Sequence, residues 1–91
     1  MEFTWDEAKR LSNIEKHHLD FIDVWQVFDG DHIKGPAKPG KSGEERFLVT
    51  GLIDGLYVTG IFTMRDTVTR VISLRRARAN ERRAHQALHG S

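Results

Sequence analysis

From Phe47 to Phe62 every second residue is apolar or glycine: Phe47, Val49, Gly51 and Ile53, then Leu56, Val58, Gly60 and Phe62. A period of two marks a strand with one buried face. Asp54-Gly55 interrupts the run, and Asp-Gly is a preferred pair for a type I′ hairpin turn, which needs positive φ at both positions. The pattern predicts strands over Arg46–Ile53 and Leu56–Met64, with Ile53 opposite Leu56. All eight residues then share one face, which must be covered, and N-terminal helices are the available cover. The other face carries Arg46, Thr50, Tyr57, Thr59 and Thr63 among Leu48, Leu52 and Ile61. It is polar enough to meet water and apolar enough to bind something. A turn at Met64–Thr67 leads to a third strand, Val68–Leu74. The register of that turn is open, and so is the face that carries Arg70.

Helical spacing dominates elsewhere. Trp5, Ala8, Leu11 and Ile14 recur every three residues and predict a first helix over Phe3–Lys16. Thr4 and Glu7 have the spacing of a capping box. Asp20–Asp29 reads as a second, mostly apolar helix, capped by Asp20, stapled by Leu19 and Val24, and stopped by Gly30. Asp31–Glu45 is a Gly-, Pro- and Lys-rich loop with room for a short edge strand at His32–Lys34. Lys34, Lys38 and Lys41 on it can reach an anionic ligand or simply face water. The last helix runs from about Ala79 to His89, with Asn80 as cap and Gly90 closing it. Its apolar stripe (Ala79, Ala84, Ala87, Leu88) is thin, which implies weak docking on its own domain or packing against a partner. The fold class is α+β: two N-terminal helices on a small antiparallel sheet of three long strands, with a short edge strand and a C-terminal helix. Residues 1–91 form a single domain.

Charge changes the picture. The net formal charge is only +1, but residues 1–45 hold six Lys+Arg against ten Asp+Glu, whereas residues 46–91 hold eight arginines, no lysine and three acids. A basic half in a nearly neutral chain suits a localised anionic ligand better than coating of nucleic acid. Guanidinium grips phosphate in a fixed fork and keeps its charge near neutral pH. On charge alone, the Arg-rich run after Leu74 reads as a solvated surface. The chain has no cysteine, which excludes disulfides, thiolate nucleophiles and cysteine zinc sites. No apolar run reaches the roughly 20 residues that span a membrane, and Glu2, Asp6 and Glu7 occupy the place of a positive leader region. A cytoplasmic protein without membrane contact is expected.

Three segments carry a family resemblance: FTWDEAKRLSNIEKHHLDF at the start, GEERFLVTGL at Gly43–Leu52, and VISLRRARANERRAH near the end. Their order and spacing resemble those of BrnT-type toxins of bacterial toxin–antitoxin pairs. The resemblance implies a fold similar to RelE ribonuclease toxins and metal-independent RNA cleavage that halts translation. It also implies a hetero-oligomer with a BrnA-like antitoxin, which carries the operator-binding domain, so that operator DNA is met only through the antitoxin. No cofactor is implied.

Cleavage without metal asks for a base to activate the 2′-OH, an acid for the leaving 5′-oxygen, and cations for the charge that builds on the phosphoryl oxygens. On positions matching the family, Arg46, Arg65 and Arg75 are the candidate phosphate groups, with Arg76, Arg82 and His85 as RNA-binding residues. Lys16 and His17 match the family's K-H pair and either transfer protons or close the first helix. Glu45 and Glu81 are available bases, but a carboxylate beside arginine is a weak one and serves better to hold the arginine. Glu81 stays in the candidate site in either role. Two departures stand out: His85 falls where the family often has tyrosine, and Arg78 where it often has Ser or Thr before the last helix. His85 and His89 are four apart, but no third metal ligand is indicated. Arginines bind phosphate whether or not RNA is cut. A non-enzymatic partner of the antitoxin, acting as operon co-repressor, and a plain RNA-binding domain are therefore the competing readings.

Overall fold

In the computed structural model, which describes residues 1–90, the elements are β1 (Phe3–Trp5), α1 (Glu7–His17), a 3-10 turn (Phe21–Asp23), α2 (Trp25–Asp29), β2 (Ile33–Pro36), β3 (Phe47–Ile53), β4 (Leu56–Arg65), β5 (Val68–Arg76) and α3 (Ala79–His89). The class is α+β, but the sheet has five strands in the order β1-β5-β4-β3-β2 and is mixed, because β1 runs parallel to β5. The expectation of three long antiparallel strands is corrected accordingly.

The hairpin forms as its alternation requires. Ile53 pairs with Leu56, and Asp54 and Gly55 have φ of 50° and 78°, the positive values of a type I′ turn. The face bearing Val49, Ile53, Val58 and Phe62 joins Val71 and Leu74 of β5. Leu19, Phe21, Val24 and Val27 cover it. Phe62 lies at the centre, with Phe28 5.1 Å and Phe47 5.8 Å away between ring centroids.

The N-terminal helix begins later than its periodicity predicts. Asp6, not Thr4, is the cap, and its carboxylate accepts from the Ala8 and Lys9 amides at 2.9 and 3.4 Å. Freed from the helix, Phe3-Thr4-Trp5 has the aromatic and β-branched composition of a strand and pairs with Thr69–Val71. The expected stripe on α1 is not buried: Leu11 is 56% exposed. What fixes α1 to the sheet is Asn13. Its amide donates to Leu19 O at 3.0 Å, and its oxygen accepts from the Leu74 amide at 3.1 Å. Arg10 adds a fork to Asp20 at 2.8 and 3.1 Å.

The second helix is a 3-10 turn followed by a short α2. Asp20 caps the turn by accepting from the Ile22 amide. Only Phe21, Val24 and Val27 face inward fully, and Ile22 and Trp25 are exposed. The edge strand exists, at Ile33–Pro36 rather than His32–Lys34.

The last helix starts at Ala79 after an N-cap at Arg78, so Asn80 is not the cap. An arginine side chain has no acceptor, and the end is closed instead by Glu81, which accepts from the Arg78 amide at 2.8 Å. α3 packs over β3 and β2, on the face opposite the core. It docks through histidines more than aliphatics. Buried His85 reaches Asp31 O at 2.8 Å and meets Tyr57 edge-on at 5.3 Å, and His89 reaches His32 O at 2.9 Å.

Candidate functional site

Cross-strand partners share a face, so the register defines the outer face of the sheet row by row. Thr50, Thr59 and Arg75 form one row, Leu48, Ile61 and Ser73 the next, and Thr63 and Arg70 the one after. Between Ser73 and Arg70 the ladder slips. Ile61 pairs with Ser73 but Phe62 with Val71, which leaves Ile72 without a partner on β4. This bulge inserts one residue into β5. Without it, strict alternation would send Arg70 and Arg75 to opposite faces. With it, they share one, together with Arg65, which has the same parity as Thr63 on β4.

Arg75 is the most constrained of these arginines. Its Nη1 and Nη2 donate to the two Glu81 oxygens at 2.8 and 2.9 Å, and Nη1 also donates to Arg76 O at 3.2 Å. Glu81 Oε1 also accepts from Thr59 at 3.0 Å and from the Arg78 amide. Thr59 lies 2.7 Å from Thr50. The Thr59 proton is committed to Glu81, so Thr50 is the donor in that buried pair. The chain Thr50–Thr59–Glu81–Arg75 thus runs from the sheet interior to the guanidinium. Among the described residues these bonds occupy the end-on fork of Arg75 and leave Nε–H and one Nη2–H, its side-on fork. Its side chain is 22% exposed.

The electrostatics follow. The hydrogen bonds from Arg75 hold the Glu81 carboxyl down to about 2, with the Arg78 amide and the Thr59 hydroxyl adding to the effect against the cost of burial. The same pairing raises Arg75 above its ordinary value. Glu81 is therefore suited to positioning the arginine and poorly suited to taking a proton. A depressed carboxylate stabilises the fold above its ordinary value of 4.5, and that stability is lost as pH falls toward 2. Urea midpoints measured against pH should show it: between about pH 5 and pH 2 the native chain should lose on the order of 2–3 kcal/mol that Glu81→Gln lacks throughout. Parallel curves would mean that the pair contributes nothing.

Other predicted site residues fall around this face. Arg46 lies in the loop leading into β3, forked onto Glu44 at 2.8 and 3.2 Å. That contact, with smaller contributions from Arg65 and Lys9, holds the Glu44 carboxyl below the usual range. Lys16 and His17 end α1 and are exposed. They line a groove of about 370 Å³ against Ile72 and Ser73 at the β5 edge. Glu45 uses its carbonyl to accept from Thr63 at 2.7 Å. Three residues stand apart. Arg76 pairs with Val58 and so lies on the opposite face from Arg75. Arg82 is exposed on α3 and, among the described residues, reaches only Ala77 O, at 3.4 Å. His85 is 4% exposed and holds α3 to the domain; contact with RNA would require α3 to lift. Of the three residues expected to bind RNA, Arg76 is thus on the face opposite Arg75, His85 is buried, and Arg82 is exposed on α3 beside Ala77.

The face also contains residues that periodicity did not single out. Arg70 depends on a bulge with no local signature. Ser73 and Lys9 depend on how α1 lies against β5. Thr50 and Thr59 were visible only as polar members of the outer face.

A small α+β domain that gathers arginines on one sheet face, beside a helix-end lysine and histidine, has the makings of a phosphate-handling protein. The chain matches, over residues 5–81, the family described as the ribonuclease toxin BrnT of type II toxin–antitoxin systems. It belongs to that family, whose members act with an antitoxin partner. No curated protein matches the chain. Among the described residues no helix is long and apolar enough to cross a membrane.

Proposed function

We propose that the chain cleaves RNA on the outer sheet face without a metal, by attack of a 2′-OH on the adjacent phosphate. The new bond joins the 2′-oxygen to phosphorus, the bond to the 5′-oxygen breaks, and that oxygen takes up a proton. The observation that carries this reading is the state of Arg75: its end-on fork is fixed by Glu81 while its side-on fork is open. A rigid, permanently charged donor pair suits the phosphoryl oxygens as they gain charge. Arg65 and Arg70 on the same face, and Arg46 at its margin, extend the phosphate-binding surface along the strand. Lys16 and His17, in the groove beside Ser73, supply proton transfer; histidine can both take and give a proton near neutral pH. Glu81 positions Arg75.

The partner is a BrnA-like antitoxin, through which the pair meets operator DNA. Capping of the arginine face by the antitoxin accounts for neutralisation. The mechanism is tested by incubating purified protein with RNA in EDTA. Cleavage at the same rate as in magnesium buffer is expected, whereas activity that returns only on adding a divalent metal would overturn it.

A further inference from the structure

We infer, resting on the reading above, that the cleft between α3 and the β2–β3 edge receives one RNA base and makes cleavage selective for bases with an exocyclic amino group. The cleft has a volume of about 150 Å³, half the roughly 300 Å³ at which drug-sized ligand sites begin. It therefore admits one planar ring and little more. Ile33, Leu48 and Ala84 supply apolar surface, and Thr50, Asn80 and Glu81 supply polar edges. Lys34 also borders it, but it pairs with Val49 and holds its ammonium 4.3 Å from the Phe47 ring centre, which belongs to the core-side face.

Two observations point to a base as occupant. The first is continuity: Glu81 lines the cleft and grips Arg75, so a nucleotide whose phosphate meets Arg75 has a neighbouring base within reach of the cleft. The second is hydrogen-bonding capacity. Among the described residues, Glu81 Oε1 accepts three bonds, but Oε2 accepts only from Arg75, at 2.9 Å. Asn80 sits in the first turn of α3, exposed, and is not spent on capping it. Carboxylate and amide oxygens both accept from an amino group, which adenine, cytosine and guanine carry and uracil lacks. Sequence-selective recognition of single-stranded RNA works in this way, by unstacking a base and reading its edge.

The test uses uridine heptamers with a central A, C, G or U. Binding is followed by fluorescence anisotropy and cleavage by gel, for the native protein, Asn80→Ala and Ala84→Leu. The native protein should prefer the amino-bearing centres by roughly tenfold, the worth of one or two hydrogen bonds. Asn80→Ala should erase most of that preference. Ala84→Leu, at an exposed helical position, should erase it by filling the cleft. Equal binding of all four heptamers by the native protein, or a preference that survives in both variants, would overturn the inference. Selective binding without any cleavage would support the cleft and count against the ribonuclease reading, so the two failures are distinguishable.

Discussion

Arg75→Ala should lower the rate of RNA cleavage by at least about 100-fold, the usual effect of removing one fixed donor to a charge-gaining oxygen. The growth arrest expected on expression without the antitoxin should disappear with it. The same change strands Glu81, whose side chain is only 11% exposed, so a stability loss of about 1–3 kcal/mol is expected alongside. Two further variants separate the effects. Arg75→Ala combined with Glu81→Gln removes the unpaired charge while keeping an oxygen for the Arg78 amide and the Thr59 hydroxyl, so part of the stability should return while activity should not. Arg75→Lys keeps the charge but offers no fork, and should remain at least about tenfold impaired. Full activity of Arg75→Ala in a folded protein would remove this residue from the site.

Gly60→Ala should be the most damaging single-methyl change in the chain. A Cβ there would lie 2.4 and 2.6 Å from atoms of the Phe62 ring and 3.4 Å from Leu74 Cδ1. Phe62 cannot give way, because it is fully buried between Phe28 and Phe47. Overpacking of this kind costs about 1–3 kcal/mol or more, and in a domain of this size each kcal/mol lowers Tm by roughly 4–8 °C. A fall on the order of 10 °C by calorimetry is expected. At Gly51, where the nearest approach is 3.0 Å to Val27 Cγ1, alanine should cost clearly less. A Gly60→Ala protein as stable as the native chain would show that the sheet can shift there, and would count against the register that puts Arg70 and Arg75 on one face.

The hairpin was legible because everything that makes it is local. The Asp54-Gly55 turn and the alternation on either side allow one register only, and the register found is that one. The N-terminus is ambiguous in the sequence because two capping signals compete within three residues. Thr4 and Glu7 match one pattern, but Asp6 caps the helix, and the strand before it is called into being by β5, more than sixty residues away. No local window contains that partner. The same holds for the bulge at Ile72, which depends on how β5 meets β4 and decides which arginines act together. The thin apolar stripe of the C-terminal helix implies only weak docking or packing against a partner. Its docking uses His85, whose ring is folded against Tyr57 rather than turned toward solvent. The arginine-rich stretch at the end of the chain thus separates into unlike parts. Arg75 is held and aimed, Arg76 lies on the other face, and Arg82 is a surface group. Of its polar residues, Glu81 carries the most structure.

The ends left on the cut RNA report the chemistry most directly. The native protein is incubated with a defined oligoribonucleotide, and the fragments are weighed by mass spectrometry. Attack by the 2′-OH on an arginine-held phosphate leaves a 2′,3′-cyclic phosphate on one fragment and a free 5′-hydroxyl on the other, and these are the expected products. Fragments ending in a 3′-hydroxyl and a 5′-phosphate would mean that water attacked instead, and would contradict the proposed mechanism at its central step.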